Sequence, residues 1–283
     1  MKHIMNKIIV LTLLFVIQLN HCNSQSIYLK ASGGFNIPAN TQQSPEYFSF
    51  RLYFPNDVMY KVNLSNSGFS IAEGINFHGA VGYNLNKLLS LELGICYSAN
   101  TKKEFEASPK LEYALNGKTN WDYKSYSLIP SILIGQSFNN SAISINIFSG
   151  IGFSNLKVKA SIEDYYNNYS FDKAISFSYG YGIEYLYRLT AKIQIYISAG
   201  LNNMFYTPRH AELVSSSDPL NISTVYQREI DYVTEIKDLR LGNYYGDQQY
   251  LENPEVRLQE TLKLNCIYSG IGIKYTLLKN EKK

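Results

Sequence analysis

The 283-residue sequence is poor in histidine and cysteine, with four and three, and has no second long apolar run after its amino terminus. Each shortage excludes something. No later stretch approaches the roughly eighteen consecutive apolar residues of a membrane-spanning helix, so a helical membrane protein is out. Cys22, Cys96 and Cys266 lie too far apart for a Cys-x-x-Cys metal or redox pattern. A formal net charge of +3 gives no electrostatic case for nucleic acid. The spaced glycines of "GYGIEY" and "SGIGIKY" sit inside strand-like segments rather than between a strand and a helix, so they read as packing glycines, not phosphate loops. No zinc pattern and no other cofactor motif is present.

The chain opens MKHIMNKIIVLTLLFVIQLNHCNSQS. Lys2 and Lys7 precede an apolar stretch from Ile8 to Ile17, then a polar tail: a secretory signal, with cleavage expected after Ser24. The apolar stretch is too short to span a bilayer as a helix. Asn20 and His21 stand where a lipobox needs small residues, which argues against lipidation of Cys22. Removing residues 1–24 leaves about 259 residues, enough for one large all-β domain or two small ones, with a formal charge of +1. Cys96 and Cys266 then read as two buried thiols or, in an exported protein, as a disulfide.

What is abundant is period-two alternation, the mark of strands with two unlike faces. It is cleanest at 191–202, where Ala191, Ile193, Ile195, Ile197, Ala199 and Leu201 oppose Lys192, Gln194, Tyr196, Ser198, Gly200 and Asn202. Seven more segments follow suit, near 27–37, 69–85, 89–99, 123–136, 143–153, 175–188 and 256–278. The segment at 123–136 is interrupted by Pro130. In the last, the apolar phase changes near Asn265, which implies a bulge or an extension beyond a barrel. Connections alternate long and short. Short ones lie at Asn84 to Lys87, Phe138 to Ser141 and Arg188 to Thr190; long ones lie at about 38–68, 100–122, 154–170 and 206–255. This is the layout of an all-β, transmembrane, antiparallel up-and-down barrel, with short periplasmic turns and long extracellular loops. Eight strands are expected. Ten would result if Phe48 to Phe54 and Val225 to Ile230 joined the wall.

Alternation alone does not say which face meets lipid. Many glycines on the polar face suit a narrow interior better than a soluble exterior. The chain has 25 tyrosines, and Tyr83, Tyr123, Tyr126, Tyr185, Tyr187, Tyr206 and Tyr275 near segment ends suit the membrane interface. With lipid outside, the charges on the polar face turn inward and must satisfy one another. Lys30, His78, Glu92, Glu184, Arg188, Lys192 and Lys274 are the expected interior polar network. It implies a plugged lumen; a small water-filled pore is the rival.

Three stretches carry a resemblance: "YSLIPSILIGQSF" (Tyr126 to Phe138), "GAVGYNLNKLLSLELGICYS" (Gly79 to Ser98) and "YSGIGIKYTL" (Tyr268 to Leu277). They resemble the small outer-membrane β-barrel proteins of the Bacteroidota, akin to the OmpA/OmpX-like barrels, over about Ser26 to Leu278. The resemblance implies an outer-membrane protein of a Gram-negative bacterium. Its implied partners are outer-membrane lipid and the barrel insertion machinery, and it implies a monomer. One departure is that eight residues follow Tyr275, where such barrels commonly end on an aromatic.

Catalysis has little to work with. A nucleophile, a histidine base and an orienting acid are needed together, and only His78 and His210 remain after cleavage. His78 beside interior serines and Glu92 is the one conceivable set, and an ordinary interior histidine explains it better. The expectation is a protein that is not an enzyme, with no catalytic, cofactor-binding or metal residues. The segment from Arg209 to Glu255 holds nine acidic and four basic residues. It is either a loop for an extracellular partner, a glycan or calcium, or a solvated shield. The functional order is a non-enzymatic barrel presenting loops for adhesion, envelope interaction or structural support; then a small porin; then a lipid-modifying enzyme; then a secreted soluble β-barrel that binds an apolar ligand.

Overall fold

Long runs of alternating side chains are satisfied by strands whose two faces meet different surroundings. The computed structural model describes residues 26–39, 50–53, 59–64, 71–101, 104–109, 117–162, 165–217, 228–233, 255–258 and 261–279. The expected signal peptide, Cys22 and most of the acidic 209–255 segment lie outside them. In chain order the strands are β1 (Ser26–Pro38), β2 (Phe50–Tyr53), β3 (Met59–Leu64), β4 (Gly74–Asn84), β5 (Leu89–Asn100), β6 (Glu104–Pro109), β7 (Gly117–Phe138) and β8 (Ser141–Ile162). They continue with β9 (Tyr165–Phe171), β10 (Ala174–Arg188), β11 (Ile193–Tyr206), β12 (His210–Ser216), β13 (Glu229–Val233), β14 (Glu255–Leu258) and β15 (Leu262–Lys279). Among the described residues no helix is long and apolar enough to cross a membrane.

Eight strands close on themselves in the order β1, β4, β5, β7, β8, β10, β11, β15, each antiparallel to its neighbours. β15 returns to β1 from Ser26↔Lys279 to Pro38↔Cys266, so the wall has no edge. Closure matters because an unpaired backbone group in hydrocarbon costs several kcal/mol, roughly. The wall thus has eight strands; of the candidates for a ninth and tenth, the described residues lie in β2 and at the start of β13, outside the wall, and the rest fall outside the described residues. β6, β3 and β2 extend the sheet from the upper part of β7, and β9, β12, β13 and β14 extend it from the upper part of β8.

The three tight turns gather at the opposite end. Asn139, with φ of 30°, turns β7 into β8, a conformation asparagine tolerates well. Asn86 Oδ1 accepts from the N–H groups of Leu88 and Leu89 at 2.8 and 2.7 Å. Thr190 Oγ1 accepts from Lys192 and Ile193 at 3.2 and 3.0 Å.

A single cause corrects two expectations, the loop at 154–170 and the interfacial Tyr123 and Tyr206, and decides between the two alternatives at Asn265 in favour of an extension. β7 and β8 each run 22 residues, about twice what a tilted strand needs to cross a bilayer. Along the lower part of β8 the apolar residues point outward: Ile143, Ile145, Ile147, Ile151 and Phe153. Above Phe153 they point inward, as Leu156, Val158 and Ala160, while Lys157 and Lys159 face out. The period stays at two and its phase inverts. So 154–170, expected as a loop, is largely a strand pair, β8 running into β9. In β15, Leu262 and Leu264 point inward and Ile267 and Ile271 outward, with unbroken register through Asn203↔Asn265. There is no bulge at Asn265; this strand extends beyond the membrane. Tyr123 and Tyr206, expected at the lipid interface, are buried in the upper core instead.

Gly82 shows why the polar face is rich in small residues. A Cβ there would run into the Tyr28 ring, which fills the lumen. Gly82→Val should therefore destabilise the barrel by about 1–3 kcal/mol through overpacking. A urea titration in micelles would show it; unchanged stability would mean that Tyr28 turns aside freely.

Candidate functional site

The lumen is built in three tiers, set by which inward positions fall at each height. The lowest is ionic. Lys30 of β1 is flanked in register by Ala80 and by Lys274. Its ammonium reaches across the lumen to Glu92 Oε1 of β5 at 2.9 Å and to Glu184 of β10 at 2.7 and 2.8 Å. These strands are not neighbours of β1, so the bridge ties separate parts of the wall together. Tyr28 donates to Glu92 Oε1 at 2.8 Å, and Asn146 donates to Glu184 Oε1 at 3.5 Å. The Lys30 ammonium also lies 4.7 Å from the Tyr196 ring centre, and Lys274 lies 3.6 Å from that of Tyr28. Two cations and two carboxylates make the tier neutral, which a low-dielectric lumen demands.

The middle tier is a polar cavity of about 70 Å³, lined among others by Ser32, His78, Cys96, Ser131, Asn146 and Tyr268. It has room for several waters. Cys96 and Cys266 are free thiols, so the disulfide alternative falls. The upper tier is apolar, with Trp121, Leu156, Tyr206, Leu213 and Leu262 almost wholly buried. Tyr123 joins it; its hydroxyl lies 2.8 Å from Ser154 Oγ and donates to Met204 Sδ at 2.8 Å. Burial raises its phenol above the ordinary tyrosine range. Where β5 ends, the Asn100 side chain continues its pairing to β7, donating to Trp121 O at 2.8 Å and accepting from Tyr123 N–H at 2.7 Å.

Of the seven residues expected inside, Lys30, Glu92, Glu184 and Lys274 come together and His78 faces the cavity above them. Arg188 and Lys192 do not join. Both are exposed at the β10–β11 turn, because the inward phase there runs past the rim of the barrel. His78 makes no hydrogen bond to a serine or carboxylate among the described residues. His210 stands apart on β12, its Nδ1 2.7 Å from Asp231 Oδ1. Tyr28, Phe148 and Tyr268 were missed as lumen residues. Their phase, shared with Lys30, Asn146 and Cys266, was the available signal.

Outside, the wall is apolar: Ile95, Ile151, Ile175 and Ile271 are each more than 60% exposed. Such a belt on a closed barrel belongs in hydrocarbon, and it defines a transmembrane β-barrel. The model of the outer membrane protein beta-barrel domain family matches residues 27–226. The chain belongs to that family and, with it, to the outer membrane. Among solved structures it is similar to Neisserial surface protein A, at 10% identity and TM-score 0.37, covering 89% of this chain and 99% of that one. The outer membrane protease OmpT from Escherichia coli also matches, at 11% identity and TM-score 0.24, covering 90% and 96%. Neither likeness carries an argument at such scores. A comparison with curated proteins found no match.

Proposed function

We propose that this is a non-enzymatic, plugged outer-membrane barrel, which holds a stack of extracellular strands above the lipid for adhesion, envelope interaction or structural support. The observation that supports it is the lumen: a neutral ionic bridge across the barrel, beneath an apolar core. An ion passing through would have to part Lys30 from both carboxylates and then cross Trp121, Tyr206 and Leu262 without partners. Export by a signal peptide ending at Ser24, origin in the Bacteroidota, a monomeric state, dependence on the insertion machinery and an extracellular protein or glycan partner belong to the same proposal.

Single-channel recording of the mature protein in planar bilayers tests it, with intact mass reporting the cleavage site. Folded, heat-modifiable protein should be silent. Stable stepwise currents would contradict the plug and favour the porin reading, in which the middle cavity is part of a continuous path.

A further inference from the structure

We propose that the outward face of β7, β8 and β10, at the upper border of the lipid belt, binds a phosphate-bearing lipid of the outer leaflet. The inference rests on the wall facing lipid and adds a ligand to it. Climb each strand along its outward positions and note the first charged residue. It is Lys124 on β7, Lys157 on β8, Lys173 just above the upper end of β10, Arg209 just past β11 and Lys263 on β15. The other side differs: β1 carries none through Ala39, β4 meets Glu73, and β5 carries none through Thr101. Among the described residues the cations are therefore one-sided.

Register gathers three of them. Tyr126, Phe153 and Ile175 form one outward row across β7, β8 and β10. The next outward row holds Lys124 opposite Asn155, with Lys173 one residue beyond the Ala174↔Ser154 pair. Asp122 and Lys157 form the row above. At about 4.8 Å between strands, Lys124 and Lys173 flank Asn155 with Cα atoms about 10 Å apart, and long lysine side chains converge over such a gap. Asp122 is 3.6 Å from Lys124. Among the described residues Lys157 and Lys173 have no ion pair, so the group carries excess positive charge at the height of lipid headgroups.

The wall beneath continues the site. Phe77, Tyr97 and Tyr126 form a run of rings with centres 6.5 and 4.9 Å apart. Lower down, the β7–β8 ladder skips from Leu128↔Ile151 to Ser131↔Phe148 around Pro130, which has no N–H to give. There the wall is dented by a groove of about 700 Å³, lined among others by Val81, Leu93, Pro130, Ile132 and Ile147. Pro130 is six residues below Lys124, roughly 20 Å along the strand. With a strand tilt of about 45° that descends about 14 Å, half the hydrocarbon core of about 30 Å. A lipid with its phosphate among Lys124, Lys157 and Lys173 would thus lay an acyl chain down the rings to the groove at the bilayer midplane.

Native mass spectrometry of the mature protein in neutral detergent tests this with phosphatidic acid, diacylglycerol of the same chains, and inorganic phosphate. The protein should retain one phosphatidic acid with at least tenfold preference over diacylglycerol, and millimolar inorganic phosphate should not displace it. The exposed triple substitution Lys124→Gln, Lys157→Gln, Lys173→Gln should reduce the preference below twofold, while Lys263→Gln leaves it intact. Equal retention of both lipids, or a triple variant that keeps its preference, would overturn the proposal. Displacement by inorganic phosphate would make this a free-anion site, and loss of preference in Lys263→Gln a diffuse field; either also overturns it. Heat-modifiable migration of every variant keeps these outcomes separate from failure of the barrel reading.

Discussion

Replacing Lys30 with methionine is expected to destabilise the barrel by about 3–5 kcal/mol, the range for removing one partner from a buried ion cluster. The reason is the geometry of the lowest tier. Glu92 and Glu184 both rely on one ammonium at 2.9 and 2.7 Å. Without it, two carboxylates face each other in a lumen where Glu92 Oε2 already has no hydrogen-bond partner among the described residues. The quadruple variant Lys30→Met, Lys274→Met, Glu92→Gln, Glu184→Gln should recover most of the loss, because an uncharged lumen leaves no orphaned charge. Urea titrations in micelles would read both. A single variant as stable as the parent would mean that water, not Lys30, satisfies the carboxylates.

The second large effect lies on the outside of β8. Ile147 faces outward between Ile132 and Tyr181 and is half exposed. If that surface lies at mid-membrane, Ile147→Lys costs about 2–4 kcal/mol. Lys159 also faces outward on this strand, with its ammonium 4.6 Å from the Tyr166 ring centre. Above the border, Lys159→Ile should change stability by less than about 1 kcal/mol, the worth of an exposed cation–ring contact. Equal effects at the two sites, measured by refolding into lipid vesicles, would remove the border between them.

These effects trace how far the sequence could be read. Alternation with apolar residues outward located the eight wall strands, since a lipid-facing wall is apolar at every second position whatever the neighbouring strands carry. The same rule failed above Phe153. Leu156 and Val158 keep the period but sit on the other phase, because water has replaced lipid outside and the lumen has become the dry side. The apparent break at Asn265 and the misplaced Tyr123 and Tyr206 have this origin. In the site, Lys30, Glu92 and Glu184 were legible as charges of inward phase. Their meeting was not, because β1, β5 and β10 are not adjacent and contact across a lumen leaves no mark in local spacing. Arg188 and Lys192 carry the inward phase too, but phase alone does not reveal where the barrel stops.

The hydrophobic side of the wall changes faces at the membrane border. Cysteine scanning along β8, in a background with Cys96→Ser and Cys266→Ala, tests it most directly. Single cysteines from 143 to 161 would be labelled in folded protein in vesicles, with a membrane-impermeant thiol reagent and, separately, a fluorophore read against a lipid-phase quencher. The account predicts lipid quenching at 143, 145, 147, 151 and 153, aqueous labelling at 157 and 159, and protection from both at 156, 158 and 160. Aqueous labelling at 145 and 147 in a folded barrel, or lipid quenching at 157 and 159, would contradict it.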